Sequence, residues 1–135
     1  MDYSGLRTAI LCVLAASVLG WAGCGNQGVP RYNLSGTVTY QGKPVPAGRI
    51  IFEPDVRKGN DGPQGYSDIK DGKYGTDKFG KGAVSGALIV TIIGTTGEGA
   101  SEANMLGQPL FPRYQTTIDL PEEAIEYDFE VPARR

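Results

Sequence analysis

Tyr32–Pro54, YNLSGTVTYQGKPVPAGRIIFEP, decides the fold. In its first nine residues Tyr32, Leu34, Val38 and Tyr40 alternate with Asn33, Ser35, Thr37 and Thr39, a period of two that marks a strand with one polar face. Gly36 falls on the apolar side of that alternation, where a glycine admits a bulky neighbour or marks a bulge. QGKPVPAG then breaks the run, because Gly42 takes a positive φ readily and Pro44 and Pro46 have no N–H to give a ladder. RIIFEP resumes as a second strand that Pro54 ends.

The same punctuation continues downstream. DVRKGNDGPQG reads as a surface loop. GYSDI and KYGT flank Lys70-Asp71-Gly72, and Asp-Gly between strands is a strong hairpin signal. DKFGKGAVSG is a further turn-rich connection. Ala87–Ile93, ALIVTII, is apolar at successive positions, short for a helix and rich in β-branched residues, which predicts a central strand covered on both faces. The 94–112 stretch is long for a loop, and such loops are functional or mobile; Ser101–Leu106 has the composition of one helical turn. Two alternating strands close the chain, YQTTIDL with Tyr114, Thr116, Ile118 and Leu120 on one face, and EYDFEV with Tyr127, Phe129 and Val131 on one face. Pro121 and Glu122-Glu123-Ala124 turn between them. Seven short strands separated by turn signals, in a chain with 20 glycines, predict an all-β fold: a seven-stranded antiparallel β-sandwich over residues 32–135.

SGTVTYQGKPVPAGRIIFEP, the DGKY hairpin and the closing YDFEV strand together resemble the transthyretin-like (prealbumin-like), carboxypeptidase-regulatory-like and Cna-B-type sandwich modules. The resemblance covers nearly all of residues 32–135 and implies a fold much more than an activity. Regulatory-like modules usually accompany a peptidase domain, and this chain has none, so no peptidase role follows. Some Cna-B-type modules carry Lys–Asn isopeptide bonds; the final strand here has Asp128 and no asparagine.

Ahead of the strands, Thr8–Ala22 is almost without polar side chains, an apolar run of about 15 residues where a membrane-crossing helix needs roughly 20. The length suits the apolar region of a secretory signal, with Arg7 as the basic residue before it and Asp2 offsetting that charge. Its end, Trp21-Ala22-Gly23-Cys24, resembles the lipobox of bacterial lipoproteins, although Trp21 stands where an aliphatic residue is usual. The resemblance implies a signal peptide over residues 1–23, a lipid anchor on Cys24, a short tether over residues 24–31, and a place in the cell envelope on the non-cytoplasmic face of a bacterial membrane. With Gly25 after the cysteine, where inner-membrane retention signals often carry Asp, the outer membrane is favoured. Short lipoproteins of unassigned function share this order of lipobox and sandwich motifs. Gly20-Trp21-Ala22 also reads small-x-small, so cleavage after Ala22 with release of a soluble protein stands as an alternative, as does an uncleaved anchor.

The remaining composition narrows the chemistry. The formal charge is −2, and removing residues 1–23 leaves it unchanged, so the counterion release that drives nucleic-acid binding has little to act on. The chain has no histidine and two cysteines, Cys12 and Cys24, which rules out Ser-His-Asp and Cys-His catalysis within it and any histidine or multi-cysteine zinc site. No Gly-rich loop has a phosphate-cradling spacing. Carboxylates remain. Asp55, Asn60 and Asp61 share one loop and Asp68, Asp71 and Asp77 surround the next hairpin, enough oxygens to consider calcium, though without the spacing of a calcium-binding loop; solvated turns explain them as well. Glu122, Glu123, Glu126, Asp128 and Glu130 mark the closing segment, with Asp128 and Glu130 on the solvent face of a strand edge. Phe111, Arg113 and Tyr114 form the aromatic–basic cluster beside the long loop, with Tyr114 sharing the parity of Ile118 and Leu120. The expectation is a non-catalytic, membrane-tethered binding or structural module with no cofactor or metal, and an envelope protein or glycan as partner. A carboxylate-based enzyme or enzyme subunit acting on polysaccharide is the alternative.

Overall fold

A computed structural model describes residues 28–99 and 107–133. Cys12, Cys24, the apolar leader and the turn expected at Ser101–Leu106 lie outside the described residues.

The chain is all-β. Strands run in the order β1 (Leu34–Tyr40), β2 (Lys43–Pro44), β3 (Ala47–Pro54), β4 (Gly65–Lys70) and β5 (Lys73–Gly75), followed by a single helical turn α1 (Thr76–Phe79) and by β6 (Gly80–Lys81). After these come β7 (Gly86–Thr95), β8 (Tyr114–Leu120), β9 (Ile125–Glu126) and β10 (Phe129–Val131). Hydrogen bonding links them into one curled sheet in the order β10-β1-β5-β4-β3-β7-β8, with β2 and β9 pairing β1 and β6 pairing β4.

The turn chemistry follows the residues. Asp71 (φ 49°) and Gly72 (φ 75°) both take left-handed backbone, the geometry of a two-residue hairpin matched to strand twist, and join β4 to β5. Gln41 and Gly42 repeat it between β1 and β2. In β3, Ile50 and Phe52 alternate inward while Arg49 and Glu53 point outward. Leu34, Val38, Leu88, Val90, Ile92 and Leu120 also belong to the core, and an aromatic centre of Phe52, Tyr74 and Phe129 holds ring centroids 5.9–6.5 Å apart. These separations allow tilted ring contacts in addition to the area buried.

Three expectations need correction. The sheet is not antiparallel throughout: β9 and β10 run parallel to β1, with Leu34 opposite Ile125 and Val38 opposite Phe129. A parallel neighbour needs a crossover, and the chain makes it by passing from β8 over to the far edge of the sheet. Strand β7 is central, paired to β3 and β8, but its second face is only partly closed; Leu88, Val90 and Ile92 are buried on one face, while on the other Thr91 and Thr95 are buried and Ile89 and Ile93 half-exposed. Tyr127 is not buried with Phe129 and Val131: it is 43 % exposed, because residues 127–128 step out of the ladder between β9 and β10, although its ring centroid stays 4.7 Å from that of Phe129.

The 94–112 stretch is also tighter than a mobile loop where it is described. Strand β7 continues to Thr95, Thr96 N donates to Gln108 O, Gln108 N to Glu98 O, and Leu110 N to Gly94 O.

Gly36 explains the step at residues 127–128. A Cβ at Gly36 (φ 151°) would overlap the carbonyl oxygen of Tyr127, with the carbonyl carbon at 2.8 Å. Only glycine lets the crossing backbone lie against β1 there. Tyr127 N donates to Ser35 O, and the Tyr74 hydroxyl donates to Tyr127 O at 2.6 Å. Asp128 Oδ1 accepts from both Thr37 N and Thr37 Oγ1 at 2.8 Å.

Candidate binding groove

The aromatic–basic cluster and the end of the last strand meet in a groove. Phe111 is 7 % exposed and lies over Gly94, where any side chain would collide with its ring. Its ring centroid is 4.8 Å from that of Tyr40, the last residue of β1. Tyr114 opens β8 and packs half-buried against the core. Parallel pairing of β10 with β1 brings Val131, Pro132 and Ala133 alongside. Together with Pro112 and Arg113 these residues enclose a groove of about 360 Å³. Arg113 is exposed at its margin and makes no ion pair or hydrogen bond among the described residues. A planar cation beside two tyrosine rings is suited to a ligand with an anionic group and a flat apolar face.

A second groove of about 510 Å³ lies across β1 and β5, lined by Ser35–Thr37, Lys73–Gly75, Asp77–Phe79 and Glu126. It carries both signs of charge. Behind it, burial first, and then the charge of Asp128, push the Tyr74 phenol well above its ordinary pKa. The Thr37 amide, followed by the Thr37 hydroxyl, holds Asp128 below the usual carboxylate range. Both shifts lead away from neutral pH, whereas a general acid or base works best with a pKa near the working pH.

Of the carboxylates singled out in the sequence, Asp77 and Glu126 line the second groove together, and the others are dispersed. Asp55 caps the short 3-10 turn Val56–Lys58, accepting from Arg57 N at 3.1 Å and Arg57 Nε at 3.4 Å. Asn60 Nδ2 donates to Ser85 O and Ala87 O, fastening the loop to β7, and Asp61 accepts from Gly62 N at 2.7 Å. Asp68 pairs with Arg49 at 2.8 Å, Asp71 shapes the hairpin, and Asp77 sits in the first turn of α1. Among the described residues no three histidine, cysteine, aspartate or glutamate side chains are grouped to hold a metal ion. Glu122, Glu123 and Glu130 are exposed. Sequence reasoning singled out Phe111, Arg113 and Tyr114 but missed Tyr40, Val131 and Pro132, since nothing local in the chain announces that its first and last strands are neighbours.

No family model and no curated protein matches the chain. Among solved structures it is similar to a DUF3823 family protein from Parabacteroides merdae, at 19 % identity and a TM-score of 0.45, with 76 % of this chain and 46 % of that one covered. The chain therefore spans about half the length of that structure.

Proposed function

We propose that this protein is a non-catalytic lipoprotein of the cell envelope, held to the membrane through Cys24, whose domain is a β-sandwich of transthyretin-like type, with seven strands along the main path of its sheet, and binds an acidic envelope glycan in the groove beside Arg113. The observation that carries the binding reading is the guanidinium of Arg113, without a partner among the described residues, at a groove floored by Phe111 and flanked by Tyr40 and Tyr114. Tyrosine rings offer flat faces to the C–H face of a sugar, and a guanidinium takes a carboxylate in two parallel hydrogen bonds. About 360 Å³ lies in the range of small-ligand sites and suits one or two sugar rings. The local duties of Asp55, Asp61, Asp68 and Asp128 as caps and ion-pair partners support a role without acid–base chemistry.

Anchoring rests on Trp21-Ala22-Gly23-Cys24. One acyl chain holds a protein marginally and two hold it stably, at about 0.8 kcal/mol per buried CH₂. A tether over residues 25–31 reaches on the order of 25 Å when extended, which keeps the groove near the membrane.

Calorimetric titration with oligogalacturonate, and with neutral galactose oligomers of equal length, tests the site. Tighter binding of the acidic series is expected. Arg113→Gln removes that preference, and Tyr114→Ala weakens both series. Unchanged binding in both variants rejects the groove as the site. Fractionation of cells carrying Cys24→Ser tests the anchor: the variant leaves the membrane fraction or accumulates as precursor, and normal processing with membrane retention rejects it.

A further inference from the structure

The two ends of the sheet are unequal. At one end β10 is three residues long, carries Glu130 at its centre and runs into Pro132. Short length, a central charge and a proline all discourage strand addition. At the other end β8 is a regular seven-residue strand, YQTTIDL, without proline, glycine, lysine or bulge, and every one of its residues is in register with β7. Its far side has no strand partner among the described residues. The inward side chains are also incompletely covered there, since Tyr114, Thr116 and Ile118 are half-buried while Leu120 is buried. Natural edges of this length are usually blunted, and this one carries a single charge, Asp119, away from its centre.

We propose that β8 is a self-recognition edge, and that two copies of the chain pair antiparallel through it about a two-fold axis at Thr117. The occupant follows from the sequence of the strand itself. Antiparallel pairing about Thr117 sets Tyr114 against Leu120, Gln115 against Asp119, Thr116 against Ile118 and Thr117 against its own copy. Each pair joins residues of one face. Tyr114–Leu120 and Thr116–Ile118 fall on the inner face, while Gln115–Asp119 and Thr117–Thr117 fall on the outer. Residues opposed across two strands point to the same face, so the register extends the apolar face across the pair without placing Asp119 against Asp119. Threonine against threonine and an amide against a carboxylate are favourable cross-strand pairs. The same operation on β10 places Glu130 against Glu130, which repels. On the proposed groove reading, pairing also sets the two Tyr114 side chains about 20 Å apart along the strand, a span over which a polymeric ligand engages both copies.

Cysteine cross-linking of the full chain in membranes reads the register directly. Thr117→Cys, treated with a thiol-bridging reagent shorter than about 13 Å (the four-residue offset between identical positions two steps from the axis), gives a covalent dimer above the background of the unsubstituted chain. Gln115→Cys and Asp119→Cys each stay monomeric alone and cross-link when the two are mixed. Glu130→Cys stays monomeric. In a second measurement Thr117→Lys, which opposes two ammonium groups on the outer face, halves the mass of the detergent-solubilised protein, which still melts in a cooperative transition. Cross-linking of Thr117→Cys no better than that of Glu130→Cys overturns the proposal. An unchanged mass in Thr117→Lys does so as well.

Discussion

Replacing Gly36 by alanine isolates the contact on which the closing strands depend. The added Cβ would overlap Tyr127 O and stand 2.8 Å from Tyr127 C and 3.0 Å from Asp128 Oδ1. Two of these are backbone atoms, so no side-chain rotation relieves the overlap, and the 127–128 crossing must lift from β1. Lifting it breaks the bonds from Tyr127 N to Ser35 O and from the Tyr74 hydroxyl to Tyr127 O, each with a net value of about 0.5–1.5 kcal/mol. Forcing a side chain onto backbone at φ 151° adds about 1–3 kcal/mol. The total is about 2–6 kcal/mol, before any contribution from the Asp128–Thr37 bonds, against the roughly 5–15 kcal/mol that holds a domain of this size. Urea and thermal denaturation of residues 28–135 measure it, with a fall in Tm of about 10 °C or more. Gly42→Ala is the internal control. Gly42 has a similar demand for positive φ (73°) but nothing within 4 Å of its Cβ position, so it costs only about 1–2 kcal/mol. If Gly36→Ala destabilises no more than Gly42→Ala, the closing strands do not rest on this crossing and the reasoning fails.

Val90 is fully buried in β7, in register between Phe52 and Thr116, so Val90→Asp leaves a charge unpaired in the core; a loss of several kcal/mol is expected in urea titrations, and near-unchanged melting would remove β7 from the centre of the sheet. The Thr37 amide and hydroxyl hold Asp128 below its ordinary pKa of 3.8. Its folded state favours the charged form, so its contribution is present above that ordinary value and is lost as pH falls through the lower folded one. Acid titration of the melting temperature should therefore show a slope below about pH 4 that Asp128→Asn reduces. Tyr74 works in the opposite direction: burial raises its pKa, its contribution is complete below the ordinary phenol value near 10, and it declines as pH rises beyond that value because the unfolded chain ionises first. Tyr74→Phe should lower stability by about 0.5–1.5 kcal/mol at neutral pH and flatten the alkaline slope.

The positions of the strands were legible in the sequence because their causes are local. A period of two at Leu34–Tyr40, Asp71-Gly72 between two alternating runs, and prolines at strand ends each act over a few residues, and β1, β4, β5, β7 and β8 lie where those signals put them. The duties of Asp55 and Asn60 lay half in view: a turn was readable, but the partners of Asn60 on β7 were not. Side-chain parity says which face a residue occupies and nothing about which strand lies beside it. The parallel closure of β9 and β10 on β1, the exposure of Tyr127, and the meeting of Tyr40 with Phe111 and Val131 were therefore decided only in three dimensions. Gly36 shows the division most clearly. Its place on the apolar side of β1 was readable from the alternation alone, but the Tyr127 carbonyl that requires a glycine there comes from 91 residues further along the chain, a contact no local signal encodes.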